Sequence, residues 1–309
     1  MRNNYNLLGM LSIRNIAKQS APAVVQTYMG RATRLTHIPR DKGLVHLARL
    51  GGYYNLKAYR HAHHLVGNTK GLRDYFLKNG VPKERAHYIG NFVEPMPAPP
   101  AEELKALRES LHIPDGAFII TCAARFHENK GLPDLIDAFS KVRNRLRRDS
   151  GSVSSAWKNI SDVRLILVGD GPMAKQLQQQ IRALNLEPYI LLPGWRDPTP
   201  YYHVADILTS PSRHEPLGNT ILEAWASGKP LVATATLGAT ELMTHEKNGL
   251  ITPLSNPSAL AEAFLRLMGD ATLSKALADD GNETVTTLFS KQAITTQYLD
   301  LYEKLLTQA

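Results

Sequence analysis

The chain has one cysteine among its 309 residues. A single thiol can neither close an internal disulfide nor build a cysteine zinc cluster, so packing must hold the fold and a reducing compartment fits best. Cys122 lies inside the apolar run 118–124, where an inert, buried thiol is expected. Long hydrophobic runs are also missing. None approaches the roughly 18 apolar residues that cross a bilayer. The patch 7–13 is short, is followed at once by Arg14 and Lys18, and lacks the length and cleavage site of a secretory signal, so export is not expected. No repeat with a period of about 20–50 residues is present, which excludes solenoids and propellers.

Acidic residues are scarce in the first third. Residues 1–100 carry 4 Asp and Glu against 15 Lys and Arg, a net of +11, while the rest carries 24 against 21, a net of −3; together they make the +8 of the chain. A basic lobe on a near-neutral body suits an anionic partner: phospholipid head groups, an acidic glycolipid or a nucleic acid. The nucleic-acid reading finds no interleaved aromatic motif and no helix-turn-helix signature, so no nucleic acid is expected as partner. A solvated basic surface is the plain alternative.

What is present is ordinary globular composition, 43% hydrophobic and 21% charged, long enough for two α/β lobes. Four prolines in residues 95–100 mark an extended linker, because proline removes backbone donors and disfavours helix before it. The expected domains are therefore 1–94, a linker at 95–100, and 101–309 with the closing helices. After a helix at 101–111, apolar β-type runs at 118–124, 163–168, 189–192, 207–210, 231–233 and 249–251 alternate with helical patterns at 132–147, 173–184, 217–227 and 239–243. Such alternation indicates a parallel sheet covered on both faces, with ligands at the carboxyl ends of the strands. Residues 149–161 read as an exposed serine-rich loop, and 291–307 as the last helix. The first lobe gives strands at 23–28, 44–48, 64–68 and 87–89, with helices at 52–61 and 70–79.

Two segments have the makings of a site. Residues 212–230, SRHEPLGNTILEAWASGKP, leave a strand, turn at Pro216 and Gly218 and enter a helix. The first amides of that helix, Leu217, Gly218, Asn219 and Thr220, can hold an anion. Glu215 and Glu223 can border one pocket, where carboxylates accept vicinal sugar hydroxyls. In residues 124–132, ARFHENKGL, Arg125 ends a strand and Lys130 precedes a helix, so both cations lie on the carboxyl side of the sheet and can neutralise a diphosphate. Taken singly, each segment has a plainer reading, as a dipole-favouring helix start or a solvated basic loop. Other motifs fall short. Residues 169–172, GDGP, lack the third glycine of a dinucleotide fingerprint. His214-Glu215 begins like a zincin motif, but position 218 is glycine. His61, His63 and His64 fit helix-end packing better than metal binding.

Five blocks in register resemble the donor lobe of family 4 glycosyltransferases: 124–132, 165–172 (LILVGDGP), 192–196 (LPGWR), 215–233 and 248–251 (NGLI). The resemblance is close over 119–258 and looser over the whole chain. It implies a GT-B fold of two Rossmann-like α/β lobes and a retaining transfer from a nucleotide-diphosphate sugar, UDP type favoured, to a glycan or glycolipid acceptor of cell-envelope polysaccharide or lipopolysaccharide type. By resemblance, Arg125 and Lys130 bind the donor phosphates and, with Glu215, form the catalytic set. Glu215 faces the transferred sugar, the backbone of Leu217, Gly218, Asn219 and Thr220 meets sugar and diphosphate, and Glu223 holds the ribose. Trp195 and Arg196 lie where the family contacts the base. No metal and no cofactor are implied. The expected location is cytoplasmic, with the basic lobe against the inner membrane face.

The N-terminal lobe departs from the family. Residues 22–34 look like the middle of that lobe, its first strands and glycine-rich loop are not recognisable, and the N-terminal lobe is expected to be incomplete. A truncated, non-catalytic nucleotide-sugar-binding remnant is the alternative function. No first-lobe residue stands out as the base: His46 is offset and His37 is weak, while Arg31 and Arg34 are candidates for holding an anionic acceptor.

Overall fold

The computed structural model describes residues 7–39, 43–149, 157, 160 and 162–308. The serine-rich stretch 149–161 thus lies almost entirely outside the described residues. Internal contacts divide the chain into two units, Met1–Phe92 with Lys291–Ala309, and Val93–Ser290.

In the first unit, helix α1 (Leu7–Gln19), strand β1 (Ala23–Tyr28), helix α2 (Met29–Leu35), strands β2 (Leu44–Leu50) and β3 (His64–Gly67), helix α3 (Lys70–Lys78) and strand β4 (Ala86–Tyr88) follow in order. The strands form a parallel sheet in the order β1-β2-β3-β4. Side chains alternate across β2, so Val45 and Leu47 enter one apolar cluster while Ala48 and Leu50 enter another with Leu72 and Phe76.

The closing helix, Lys291–Thr307, belongs to this unit, which corrects its assignment to the second lobe. Its Ile294, Leu301 and Leu305 complete the cluster of Val45, Leu47 and Val66, and Arg49 donates to the Tyr298 hydroxyl at 3.1 Å. Sequence order could not reveal this, because an amphipathic stripe does not say which sheet it covers. The helix expected at 52–61 shrinks to a single 3-10 turn, Leu56–Tyr59. There the Asn55 side chain accepts the Lys57 N–H and starts the turn late.

Two histidines of this unit are buried, His46 of β2 and His63 just before β3. His46 is fully buried, its Nε2 lies 3.0 Å from the Thr27 hydroxyl, and its ring neighbours those of His61 and His63. His37 stacks on His61 at 3.9 Å. Burial first, then His61, His63 and His37, lowers the His46 pKa to about 3. His46 is thus a packed core residue.

The second unit starts at Val93, a little before the expected boundary. The proline-rich segment is not a free linker: the Met96 carbonyl accepts from His203 at 2.9 Å, and the Ser227 hydroxyl approaches its sulfur at 3.7 Å. Then come α4 (Ala101–Ser110), β5 (Ala117–Ala123), α5 (Leu132–Asp149), β6 (Asp162–Val168), α6 (Ala174–Ala183), β7 (Ile190–Gly194), α7 (Thr199–Val204), β8 (Ile207–Ser210), α8 (Asn219–Ala226), β9 (Leu231–Thr234), α9 (Leu237–Leu242), β10 (Leu250–Thr252), α10 (Pro257–Gly269) and α11 (Ala271–Leu288). All six strands run parallel in the order β10-β9-β8-β5-β6-β7.

Both faces of this sheet are apolar. Ile120 and Cys122 of β5 point into a core with α5, α6 and α10, while Ala117 and Ile119 point into one with α7 and α8. At the centre of the latter, Trp225 is fully buried and its indole N–H donates to the Asn248 carbonyl at 2.7 Å. The order reverses between β5 and β8: β6 and β7 continue one way, β8 to β10 the other. That reversal is the switch point at which such sheets open a crevice.

Two stability predictions follow from the packing. A methyl group at Gly281 of α11 would stand 2.2 Å from Cδ1 of the buried Trp225. Alanine gains about 1 kcal/mol of helix propensity, but overpacking costs about 1–3 kcal/mol, so Gly281→Ala is expected to lower the urea midpoint. A raised midpoint would contradict the packing. For His46 the native fold keeps the ring neutral, whereas the unfolded chain protonates it below its ordinary pKa of 6.5. Stability is then full above that pH and falls as acid is added down to about 3, by at most ~1.4 kcal/mol per pH unit. Urea unfolding at pH 7.5, 6 and 5 should show this slope, and His46→Gln should reduce it by one proton.

Candidate functional site

The loops leaving β5 and β8 meet at the switch point. After β5, Phe126 turns inward and is buried. Its N–H donates to the Asp170 carbonyl at 2.8 Å and its carbonyl accepts from Met173 at 3.0 Å, which fixes the loop against the one after β6. A 3-10 turn, Glu128–Lys130, then leads to Gly131 at φ 62°. A Cβ on Gly131 would lie 2.0 Å from the Pro211 carbonyl oxygen, so only glycine permits the two loops to approach this closely.

Three contacts lock the approach. The Asn129 carbonyl accepts from the N–H groups of Arg213 and His214 at 2.8 and 3.1 Å. The Arg213 guanidinium donates to both carboxylate oxygens of Asp134, in the first turn of α5, at 2.8 and 2.7 Å. Lys130 and Glu215, 85 residues apart in sequence, form a direct ion pair. Both side chains are partly buried, at 27% and 17% exposure, so the pair is shielded from water more than a surface salt bridge is. The Glu215 carbonyl also accepts the Gly238 N–H at 2.9 Å, which braces the segment from the β9 side.

Helix α8 opens at Asn219 and not at Leu217 as the sequence suggested, because Gly218 adopts the left-handed conformation (φ 83°) as its N-cap. Leu217 and Gly218 are buried, whereas Asn219 is exposed and Thr220 half-buried. The first turn of a helix leaves amide donors without intrahelical partners and carries partial positive charge. That end of α8 follows directly on Glu215.

The two glutamates have different partners. Glu223 accepts a hydrogen bond from the Tyr202 hydroxyl of α7 at 2.8 Å. Burial, with Glu223 beside it, drives the Tyr202 pKa upward, so the phenol remains a donor. Sequence reading missed Tyr202, because a tyrosine pair on a six-residue helix has no motif spacing, and likewise missed the clamp from Arg213 to Asp134. Arg125, Trp195 and Arg196 are exposed, Trp195 at 73%. Trp195 follows Gly194, whose carbonyl accepts the Gly169 N–H at 2.9 Å and joins the loops after β6 and β7. Beneath the site, complete burial pushes the Cys122 thiol up to about 12, as befits an inert thiol. Among the described residues no group of three or more His, Cys, Asp or Glu side chains is placed to hold a metal ion.

The chain matches the family described as Glycosyl transferases group 1 over residues 117–270. It is 32% identical over 294 residues to the lipopolysaccharide core biosynthesis glycosyltransferase LpsD of Rhizobium meliloti (strain 1021), covering 94% of this chain and 78% of that protein. The chain belongs to the group 1 glycosyl transferases. LpsE of the same organism is 30% identical over 293 residues, with the same coverage. In fold, this glycosyltransferase is similar to one from Rickettsia africae ESF-5, with a TM-score of 0.83 and 22% identity over 100% of this chain and 84% of the other. It is also similar to Anabaena Alr3699/HepE in complex with UDP-glucose, with a TM-score of 0.77 and 22% identity over 96% and 83% of the two chains. These are GT-B structures, and the two parallel-sheet units of this glycosyltransferase are of that kind. All ten candidate residues of the enzyme fall within the matched span. No helix among its described residues is long and apolar enough to cross a membrane.

Proposed function

We propose that this glycosyltransferase takes a sugar from a nucleoside diphosphate donor of the UDP type and passes it, with retained anomeric configuration, to a glycan or glycolipid acceptor of the lipopolysaccharide core type. The observation that carries the reading is the Lys130–Glu215 pair at the switch point of the second sheet. There a cation, a carboxylate and the amides at the start of α8 follow one another along a single edge. The relatives LpsD and LpsE, named for lipopolysaccharide core synthesis, support the acceptor class. The likeness to HepE, whose structure holds UDP-glucose, supports the donor class.

In this reading the incoming diphosphate takes Lys130 from Glu215 and engages Arg125 and the first amides of α8. These groups stabilise the charge that grows on the departing diphosphate, a role in which a single preorganised donor contributes about 10²–10³ in rate. Glu215, released from its cation, accepts hydroxyls of the transferred sugar. Glu223 accepts the ribose hydroxyls, and Tyr202 positions its carboxylate by the hydrogen bond already formed. The backbone beside Trp195 and Arg196 borders the base.

The acceptor is met on the cytoplasmic face of a membrane. Residues 1–100 carry a net charge of +11. On α1, Leu7, Leu8 and Leu11 are exposed, with Arg14 and Lys18 further along the same helix. Leu7, Leu11, Arg14 and Lys18 recur at helical spacing, so one face offers apolar anchors followed by cations. Each basic residue near an anionic surface contributes about 1 kcal/mol.

Thermal unfolding with UDP, GDP and ADP sugars tests the donor. At a ligand concentration a hundredfold above Kd, about 2.7 kcal/mol of stabilisation is expected, with UDP sugars the most effective. Lys130→Ala and Glu215→Ala should each reduce donor turnover by roughly 10²–10³; wild-type rates in both would sink the proposed site, and binding without turnover in the parent would favour the non-catalytic alternative. Sedimentation with phosphatidylglycerol vesicles tests the membrane. Binding should fall with salt and with Leu11→Glu, and equal recovery on neutral vesicles would remove this part of the reading.

A further inference from the structure

Among the described residues, three hydrogen-bonded ties join the loop after β5 and the start of α5 to the loop after β8, and they differ in kind. The Asn129 carbonyl takes the Arg213 and His214 amides, Lys130 pairs with Glu215, and the Arg213 guanidinium forks onto Asp134. The first is made by backbone. The second is the one that an incoming diphosphate breaks in the donor reading above. The third needs two charged side chains, and nothing in that reading uses it.

We propose that Arg213 is a positioning residue: through Asp134 it keeps the Lys130 loop against the Glu215 loop when Lys130 leaves Glu215 for the donor diphosphate. The inference rests on the donor reading, in which Lys130 changes partner.

Asp134 is a firm anchor. It stands in the first turn of α5, where the helix dipole favours a carboxylate, and its side chain is only 15% exposed. Leu132, Leu135 and Ile136 around it are fully buried, which ties its backbone to the core of the unit. Onto this anchor Arg213 places Nε and Nη2, at 2.8 and 2.7 Å from the two carboxylate oxygens. A bidentate pair of this kind fixes direction as well as distance. Arg213 lies two residues before Glu215, and Asp134 four residues after Lys130, so the clamp holds a point near each member of the ion pair.

A direct role for Arg213 at the diphosphate fits less well. Two of its N–H groups are taken by Asp134. Its pKa is raised, first by those hydrogen bonds and further by the charge of Glu128. An anion arriving there would meet two carboxylates along with the guanidinium.

While Lys130 and Glu215 are paired, the clamp duplicates their attraction, and its loss should alter the stability of the fold little. Once the cation turns to a ligand, the Asn129 junction and the clamp are the ties that remain. Loss of the clamp should therefore cost more in the bound state than in the free one.

Calorimetric titration of the full chain with UDP and with uridine, in the parent, Asp134→Asn and Arg213→Gln, tests the proposal. Each variant should weaken UDP binding about tenfold, the scale of one lost charge-assisted bond, and the double variant no further than either single one. Uridine, which carries no phosphate, should bind all of them equally. UDP bound equally by parent and variants would overturn the proposal and leave the donor reading intact. Tighter UDP binding in Asp134→Asn would make Arg213 a direct phosphate ligand, and an equal loss for uridine would mark a general loosening; either overturns it too. A parent that binds no UDP would strike the donor reading, and the clamp is then decided in the free protein. There acetic anhydride should modify Lys130 several-fold faster in both variants than in the parent, read by peptide mapping, and an unaltered rate would overturn the proposal.

Discussion

The Asn129 carbonyl receives two amides, from Arg213 and His214, and this junction holds the exit loops of β5 and β8 together. Its position follows from the sheet. β5 and β8 are neighbours, yet the chain leaves them toward opposite faces, so their exit loops are the two that can close over the same strand ends. Gly131 lets the loops touch, and the Arg213–Asp134 clamp ties the second loop to the start of α5. Lys130 and Glu215 lie on the two loops that these contacts hold together. The ion pair thus joins two side chains 85 residues apart in sequence.

The two units meet the cost of burying polar groups in different ways. In the second, both faces of the sheet are apolar, and the loops at the carboxyl edge carry the Asn129 junction and the Lys130–Glu215 pair. The first unit is smaller and takes histidines into its interior. His46 is held between the Thr27 hydroxyl and the neighbouring rings, and it can remain there only as a neutral ring. Two cations of that unit reach neutral oxygens: Arg85 donates to the carbonyls of His63 and Ala62 at 2.6 and 2.7 Å, and Arg49 to the Tyr298 hydroxyl.

Much of the architecture was legible before any coordinates. The apolar runs at 118–124, 163–168 and 207–210 became β5, β6 and β8 within a residue or so. Strands buried on both faces leave continuous hydrophobic stretches, and helices between them leave a longer period, so both signals survive in the sequence. The segments around Lys130 and Glu215 were legible as well, because their glycines and prolines mark the turns. Elsewhere local pattern misled. The 52–61 region has helical spacing, yet Asn55 captures the Lys57 amide and confines the turn to Leu56–Tyr59. The start of α8 moved because Gly218 takes a left-handed conformation that helical periodicity does not register.

Partners distant along the chain were hidden for a different reason. Nothing near Glu223 indicates that Tyr202 will hold its carboxylate, and nothing in the closing helix shows that it returns to Val45 and Leu47 of the first sheet. The sequence alone determined the class of fold, the alternation of strands and helices, the basic first third and the family to which the chain belongs, all of which depend on residues close together or on composition. Only the tertiary structure decided which loops touch, which glutamate pairs with Lys130, and which sheet the closing helix covers. Those outcomes depend on strand order and on close packing between segments tens of residues apart, and a one-dimensional pattern holds no record of either.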